Sequence, residues 1–219
     1  MCGRYTLAKP MKSIESHFGP IRIDAAHSER YNIAPSQQAP VVLTRDKDRW
    51  LKPMAWGLVP SWAKDRPGGF INARAETAAA KPSFRAAFKT RRCLVPADGF
   101  FEWEQRNGKK IPHYFHLRSA GLFAFAGFYE EQQESTGPLP TFTILTTRAN
   151  ALVAPLHERM PVILAPEAYA LWLSHSASAD DLQTLFDPYS AQSMEQFVVS
   201  RDVNSPRNDG PACIAPADA

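Results

Sequence analysis

Apolar residues in this chain fall mostly in short runs rich in β-branched and aromatic side chains, separated by polar or Pro/Gly-containing turns. That pattern specifies strands. The stretches 3–7 (GRYTL), 40–45 (PVVLTR), 49–60 (RWLKPMAWGLVP), 91–104 (RRCLVPADGFFEWE), 110–118 (KIPHYFHLR), 122–131 (LFAFAGFYEE) and 141–147 (TFTILTT) read as strands, with Asp46, Lys47 and Asp48 forming the turn between the second and third. Helical spacing or helix-start signals mark 9–18, 82–90, 166–175 and 178–186, and 150–157 reads as a short helix or turn. Pro67-Gly68-Gly69 makes 61–70 a loop, and 205–219 reads as an irregular C-terminal tail. The pattern predicts a single α+β domain over 1–219. Its mainly antiparallel β core is curled or closed to remove its edges, and short helices flank it.

Composition narrows this little. The chain has 219 residues, 44% hydrophobic and 21% charged, with 19 prolines that favour short strands and irregular connections. No run of about 18 apolar residues predicts a membrane helix, and no basic stretch followed by an apolar one predicts a secretory signal. The three cysteines, Cys2, Cys93 and Cys213, are odd in number and far apart, so reduced thiols in the cytoplasm are expected. Neither a metal site nor a cofactor is implied. A monomer is the simplest expectation. Net charge is only +3, but 16 of the 25 basic residues are arginines, whose planar fork suits phosphate.

Cys2 is the unusual position. Removal of Met1 leaves a residue carrying both a free α-amine and a thiol. The amine condenses with an aldehyde to an imine, and the thiol closes on the same carbon to give a thiazolidine, helped by the high effective molarity of two groups on one residue. A second chemistry begins from the same residue: the amine acts as base while the thiol attacks a glutamine amide, as in an amidotransferase. The first three residues do not separate the two. An arginine-rich chain suggests an aldehyde partner, the opened sugar of an abasic site in DNA. In "INARAET", Asn72 and Arg74 lie two apart, on one face if extended, where Asn72 can hold an amine or hydroxyl and Arg74 a phosphate. Glu102 sits between Phe101 and Trp103, either desolvated and suited to acid/base work or on a wet face with the aromatics inside. His157 and Arg159, in "LHERMP", suit proton transfer and phosphate contact. Trp62, in a loop near basic residues, suits stacking on an unpaired base.

Taken together, "MCGRYTL", "RYNIAPSQ", "WGLVPSWAKD", "INARAET", "RRCLVPADGFFEWE", "FTILTTRAN", "LHERMPVIL" and "VNSPRND" stand in this order over residues 2–209. The chain thereby resembles the SRAP (SOS-response-associated peptidase) family. The resemblance implies one α+β domain with a barrel-like β core and a positive DNA cleft. It also implies recognition of abasic sites in single-stranded DNA and at single/double-strand junctions, with a covalent thiazolidine crosslink through the N-terminal cysteine. By motif, Cys2 is the nucleophile, Asn72 orients its amine and the sugar, and Glu102 is the general acid/base. His157 stands near the phosphate beside the lesion, and Arg4, Arg74 and Arg159 contact the DNA backbone. Weak lyase activity and peptidase-type self-processing are further implications, as is association with the nucleoid. The tryptophan loop departs from members with two adjacent tryptophans, since this chain reads Ser61-Trp62-Ala63. A glutamine amidotransferase, a non-catalytic single-strand binding module and a general thiol peptidase using Cys2, His157 and Glu102 are the rivals.

Overall fold

The computed structural model describes residues 2–24, 26–63, 68–131 and 140–217. The first half of the chain forms β1 (Tyr5–Leu7), α1 (Met11–Phe18), β2 (Arg22–Ile23), β3 (Arg30–Ile33), β4 (Gln38–Arg45), β5 (Asp48–Trp56), β6 (Asn72–Arg74), α2 (Ala75–Ala78), α3 (Arg85–Thr90) and β7 (Arg92–Ala97). The second half forms β8 (Gly99–Arg106), β9 (Lys109–Leu117), β10 (Phe123–Glu130), β11 (Thr141–Arg148), β12 (Arg159–Pro161), β13 (Ile163–Leu164), α4 (Tyr169–Leu173), α5 (Ala179–Gln183) and β14 (Met194–Val198).

The larger sheet closes on itself. Strands β11, β10, β7, β4 and β5 follow one another with antiparallel pairing, and β5 then pairs parallel with β11, Thr141 opposite Ala55 and Phe142 opposite Trp56. Backbone bonds from Ala55 N–H to Pro140 O and from Gly57 N–H to Phe142 O, each 2.8 Å, seal that seam. The closure leaves those strands without a free edge and fills the interior with aromatics: Tyr5 stands edge-on to Trp56 and to Phe125, with ring centroids 5.2 and 5.8 Å apart. A second sheet runs β14-β9-β8-β1-β3. The mixed, mostly antiparallel α+β architecture agrees with the sequence pattern.

Three expected elements differ in detail. The run 91–104 is two strands, because at Asp98 the chain leaves the closed sheet for the second one. Asp98 makes the corner by accepting from Thr6 Oγ1 at 2.5 Å and from the Ala8 N–H at 2.8 Å. Gly99 must follow, since a Cβ there would lie 2.2 Å from the Tyr114 hydroxyl. The run 49–60 stops at Trp56. Gly57 turns with φ 138° and packs so tightly on the next loop that a Cβ would lie 2.4 Å from Gly68 O. Asp48 belongs to β5, and the turn needs only Asp46 and Lys47, both at positive φ as a two-residue hairpin demands. Residues 64–67 of the expected 61–70 loop lie outside the described residues.

The expected helices form, shortened. The 9–18 segment gives α1 and 82–90 gives α3. The 166–175 segment opens as a 3-10 turn before α4, and α5 starts at a capping box in which Ser178 and Asp181 bond reciprocally. The C-terminal segment is irregular but docked. Asp209 accepts from the N–H groups of Tyr31 and Asn32 at 2.6 and 2.9 Å and pairs with Arg30. Val203 and Cys213 join Phe101 and Tyr114 in a second apolar cluster behind β8.

Candidate functional site

The N-terminal strand brings Cys2 to β8. Tyr5 pairs with Phe100, and the Phe101 N–H donates to Arg4 O at 3.0 Å. Continuing that register sets Gly3 opposite Glu102. Period-two alternation puts Phe101 and Trp103 toward the second cluster and Glu102 on the same face as Phe100, the side of the main core. Of the two placements the sequence left open, the desolvated one holds: both faces of β8 are covered here, and Glu102 is 5% exposed. Burial raises its carboxyl pKa.

Cys2 is fully buried, and its thiol donates to Arg4 O at 3.8 Å. Burial pushes the thiol pKa well up, and the charge of Glu102 pushes it further. Asn72, on β6, donates from Nδ2 to the Cys2 carbonyl at 2.8 Å. Its Oδ1 is buried with no hydrogen-bond partner among the described residues, an acceptor available for an N–H. Register explains why Asn72 reaches the cysteine: β6 lies parallel to β11, with Asn72 opposite Ile144 and Arg74 opposite Thr146. The short extended segment expected from "INARAET" is present. Ala73 is buried between its two polar neighbours, and Arg74 is exposed.

The remaining predicted residues fall into two groups. Arg159 neighbours β6 across β11, but its guanidinium is already engaged. It holds Glu76 in a bidentate pair at 2.7 and 2.8 Å and donates to Thr146 O. It is therefore not an open phosphate clamp in this state; an anion must displace Glu76. His157 accepts the Arg159 N–H at Nδ1 (2.9 Å), which places the proton of the neutral ring on Nε2, and burial lowers its pKa. Arg4 also departs from the expected backbone contact. Its Nη1 donates at 2.7 Å to both Asn32 Oδ1 and Val203 O, and its guanidinium lies 5.7 Å over the Trp103 ring. Burial disfavours its charged form. Arg4 ties the cysteine-bearing strand to β3 and the C-terminal segment. Trp62 is 66% exposed.

Sequence reasoning missed Glu76, Asn32 and Asp209. Asn32 is fully buried and also donates to Ser205 O and Asn208 O, at 3.0 and 2.7 Å. The signals were present in "NARAE", "RYNIAPSQ" and "VNSPRND", but spacing gives no hint that the last two meet. Among the described residues no cluster of three His, Cys, Asp or Glu could hold a metal, and no helix is long and apolar enough to cross a membrane.

A closed sheet with a terminal Cys-Gly strand, an asparagine on the cysteine carbonyl and a buried carboxyl beside it defines a class. The sequence model of the SOS response associated peptidase (SRAP) family matches residues 1–206, and the chain belongs to that family. It is 43% identical to the Bacillus subtilis (strain 168) abasic site processing protein YoqW, covering 98% of this chain and 99% of that one. It is 34% identical to the abasic site processing protein HMCES of Gallus gallus (86% of this chain, 66% of that one). A protein of Bacteroides thetaiotaomicron solved by X-ray crystallography superposes with a TM-score of 0.87 at 27% identity, covering 99% of this chain and all of that one.

Proposed function

We propose that this protein captures abasic sites in single-stranded DNA, and at single/double-strand junctions, as a thiazolidine on Cys2 once Met1 has been removed. The observation that supports this best is the Asn72 amide on the Cys2 carbonyl, with the buried Glu102 carboxyl against the same strand. That arrangement fixes the first residue of the processed chain, which is what a nucleophile built from its own α-amine requires. The names of the family relatives point the same way.

Glu102, whose carboxyl burial biases toward the protonated form, gives its proton to the sugar ring oxygen and the hemiacetal opens to the aldehyde, the C1′ hydroxyl proton returning to the carboxylate. The Cys2 amine adds to C1′ and water leaves, forming the imine. The Cys2 sulfur then bonds to C1′ as the C=N electrons move to nitrogen, which takes the thiol proton. The thiol is poorly ionised in its buried state; the positive charge of the protonated imine three bonds away favours the thiolate. Arg74, exposed beside Asn72, takes the phosphate, Arg159 joins when Glu76 yields, and His157 serves the adjacent phosphate. Trp62 stacks on a base. Elimination of the 3′ phosphate from the imine gives a weak lyase activity, and peptidase-type self-processing would account for the loss of Met1.

The test is incubation with single-stranded DNA carrying one abasic site, followed by denaturing electrophoresis and intact-mass measurement. The expected adduct equals Met1-free protein plus DNA less one water, and Cys2→Ala abolishes it. No adduct, or the same adduct at full yield from Cys2→Ala, overturns the proposal. Ammonia release from glutamine would instead support the amidotransferase.

A further inference from the structure

We infer that a cavity beside the arginine face binds the nucleobase of a nucleotide flanking the lesion. The cavity has a volume of 420 Å³, within the range of small-ligand sites. It lies where the C-terminal end of β11 meets α2, α3 and the turn after α5. Phe88 and Phe186 supply apolar ring surface, and Glu76, Thr147, Arg148 and Gln183 supply polar groups. A base needs this pairing of surfaces, because it has a flat apolar face and a polar edge.

The position follows from register. Asn72, which holds Cys2, is opposite Ile144, and the exposed Arg74 is opposite Thr146. Thr147, at the cavity, is three residues beyond Ile144, about 10 Å along an extended strand. A strand whose sugar reaches Cys2 and whose phosphate reaches Arg74 therefore passes the cavity mouth with an adjacent nucleotide. Lys81, Arg85 and Lys89 are exposed on the α2–α3 stretch and give that approach a positive border. Arg148 is tied to that turn by its pair with Asp187. That pair is 3.4 Å long between side chains 75% and 84% exposed, weak enough to part for a ligand. Stacking on the rings makes the site tolerant of base identity, and the Gln183 and Thr147 groups at its edge give a modest preference among bases.

This inference rests on the proposed function for the path of the strand, so its test avoids crosslinking. Binding is measured with single-stranded oligonucleotides bearing a tetrahydrofuran abasic analogue, which has no aldehyde. The base on the 5′ side, the 3′ side, or neither is replaced by a second tetrahydrofuran. Wild type is expected to lose about tenfold in affinity when one particular flanking base is absent, the size of one stacked base. Phe186→Ala, and Gln183→Trp, which fills the cavity from an exposed position, are expected to bind all the strands with the weaker affinity. Equal wild-type affinity for every strand, or a Gln183→Trp protein that keeps the tenfold dependence, overturns the inference. Crosslinking of wild type to the natural abasic strand, run in parallel, reports separately on the chemistry of Cys2.

Discussion

Glutamine in place of Glu102 keeps the side chain's size and removes its charge. In the folded chain the carboxyl is 5% exposed and burial raises its pKa; in the unfolded chain it titrates near the reference value of about 4.3. The folded state therefore binds the proton more tightly. Below about pH 4 both states are protonated, and the carboxyl carries no ionisation penalty. As pH rises above that, the unfolded chain ionises first and stability falls, until pH passes the folded-state pKa and the loss becomes constant. Each unit of elevation corresponds to about 1.4 kcal/mol, or ~3–6 °C in Tm for a domain of this size. Glu102→Gln is thus expected to melt higher than wild type at pH 8, with the gain vanishing toward pH 4. Thermal unfolding followed by circular dichroism over that range measures it. The same variant is expected to crosslink abasic DNA about 10²-fold more slowly or worse, the usual scale of a lost general acid. It is also expected to have a more acidic Cys2 thiol, readable from the pH dependence of alkylation, because at the alkaline pH where that thiol ionises the carboxylate charge of Glu102 helps hold its pKa up. A variant less stable than wild type at pH 8, or a gain independent of pH, would falsify the account of Glu102 as a carboxyl whose ionisation burial opposes.

Glu76→Gln releases Arg159. Glu76 is half-exposed, so the lost pair contributes about 1 kcal/mol or less, while single-strand affinity rises and the slope of log K against log salt steepens by about 0.7; an unchanged slope means that Arg159 reaches no phosphate. Asn72→Ala removes the donor to the Cys2 carbonyl, with about 1 kcal/mol of stability lost. Crosslinking slows at least tenfold while affinity for a tetrahydrofuran strand holds; a matching loss of affinity would reassign Asn72 to holding DNA. Asp209→Ala strips the acceptor from the Tyr31 and Asn32 N–H groups and costs ~2–3 kcal/mol in urea unfolding. Asp209→Asn, whose amide oxygen still accepts, recovers most of it, and equal losses would show that the Arg30 charge pair dominates.

How much was legible varied with the range of the interaction involved. Strands β4, β9, β10 and β11 and helices α1 and α3 are visible because their apolar spacing is local. The break at Asp98 is not, because nothing in "LVPADGFF" says that two sheets meet there; Tyr114, crowding Gly99 from the next strand, decides it. The two-residue β2, the short β12 and the late β14 lack enough length for a pattern; β2 and β14 are held as strands by partners far along the chain, β5 and β9, and β12 by the nearby β11. The candidate cluster was legible as residue types: a Cys-Gly pair after Met1, an asparagine two before an arginine, a carboxylate between aromatics. The state of its charged groups was not. Arg4 and Arg159 look alike in sequence to Arg74, yet Asn32 and Val203 take up the first and Glu76 the second, leaving Arg74 exposed.

The sequence by itself therefore narrowed the candidate chemistry: once Met1 is removed, Cys2 carries an amine and a thiol on one residue, a position that alone leaves aldehyde capture and amide attack both open, and the ordered motifs supplied the family. It also determined the mainly antiparallel architecture, through periodicities that each strand carries within itself. Tertiary structure decided which groups can act. Whether a carboxyl is neutral, an arginine free or a cysteine accessible depends on neighbours tens to hundreds of residues away, brought close only when β5 seals against β11 and the C-terminal segment docks behind β8. Burial and pairing, which set those charges, are properties of that closed arrangement and of no short stretch of chain.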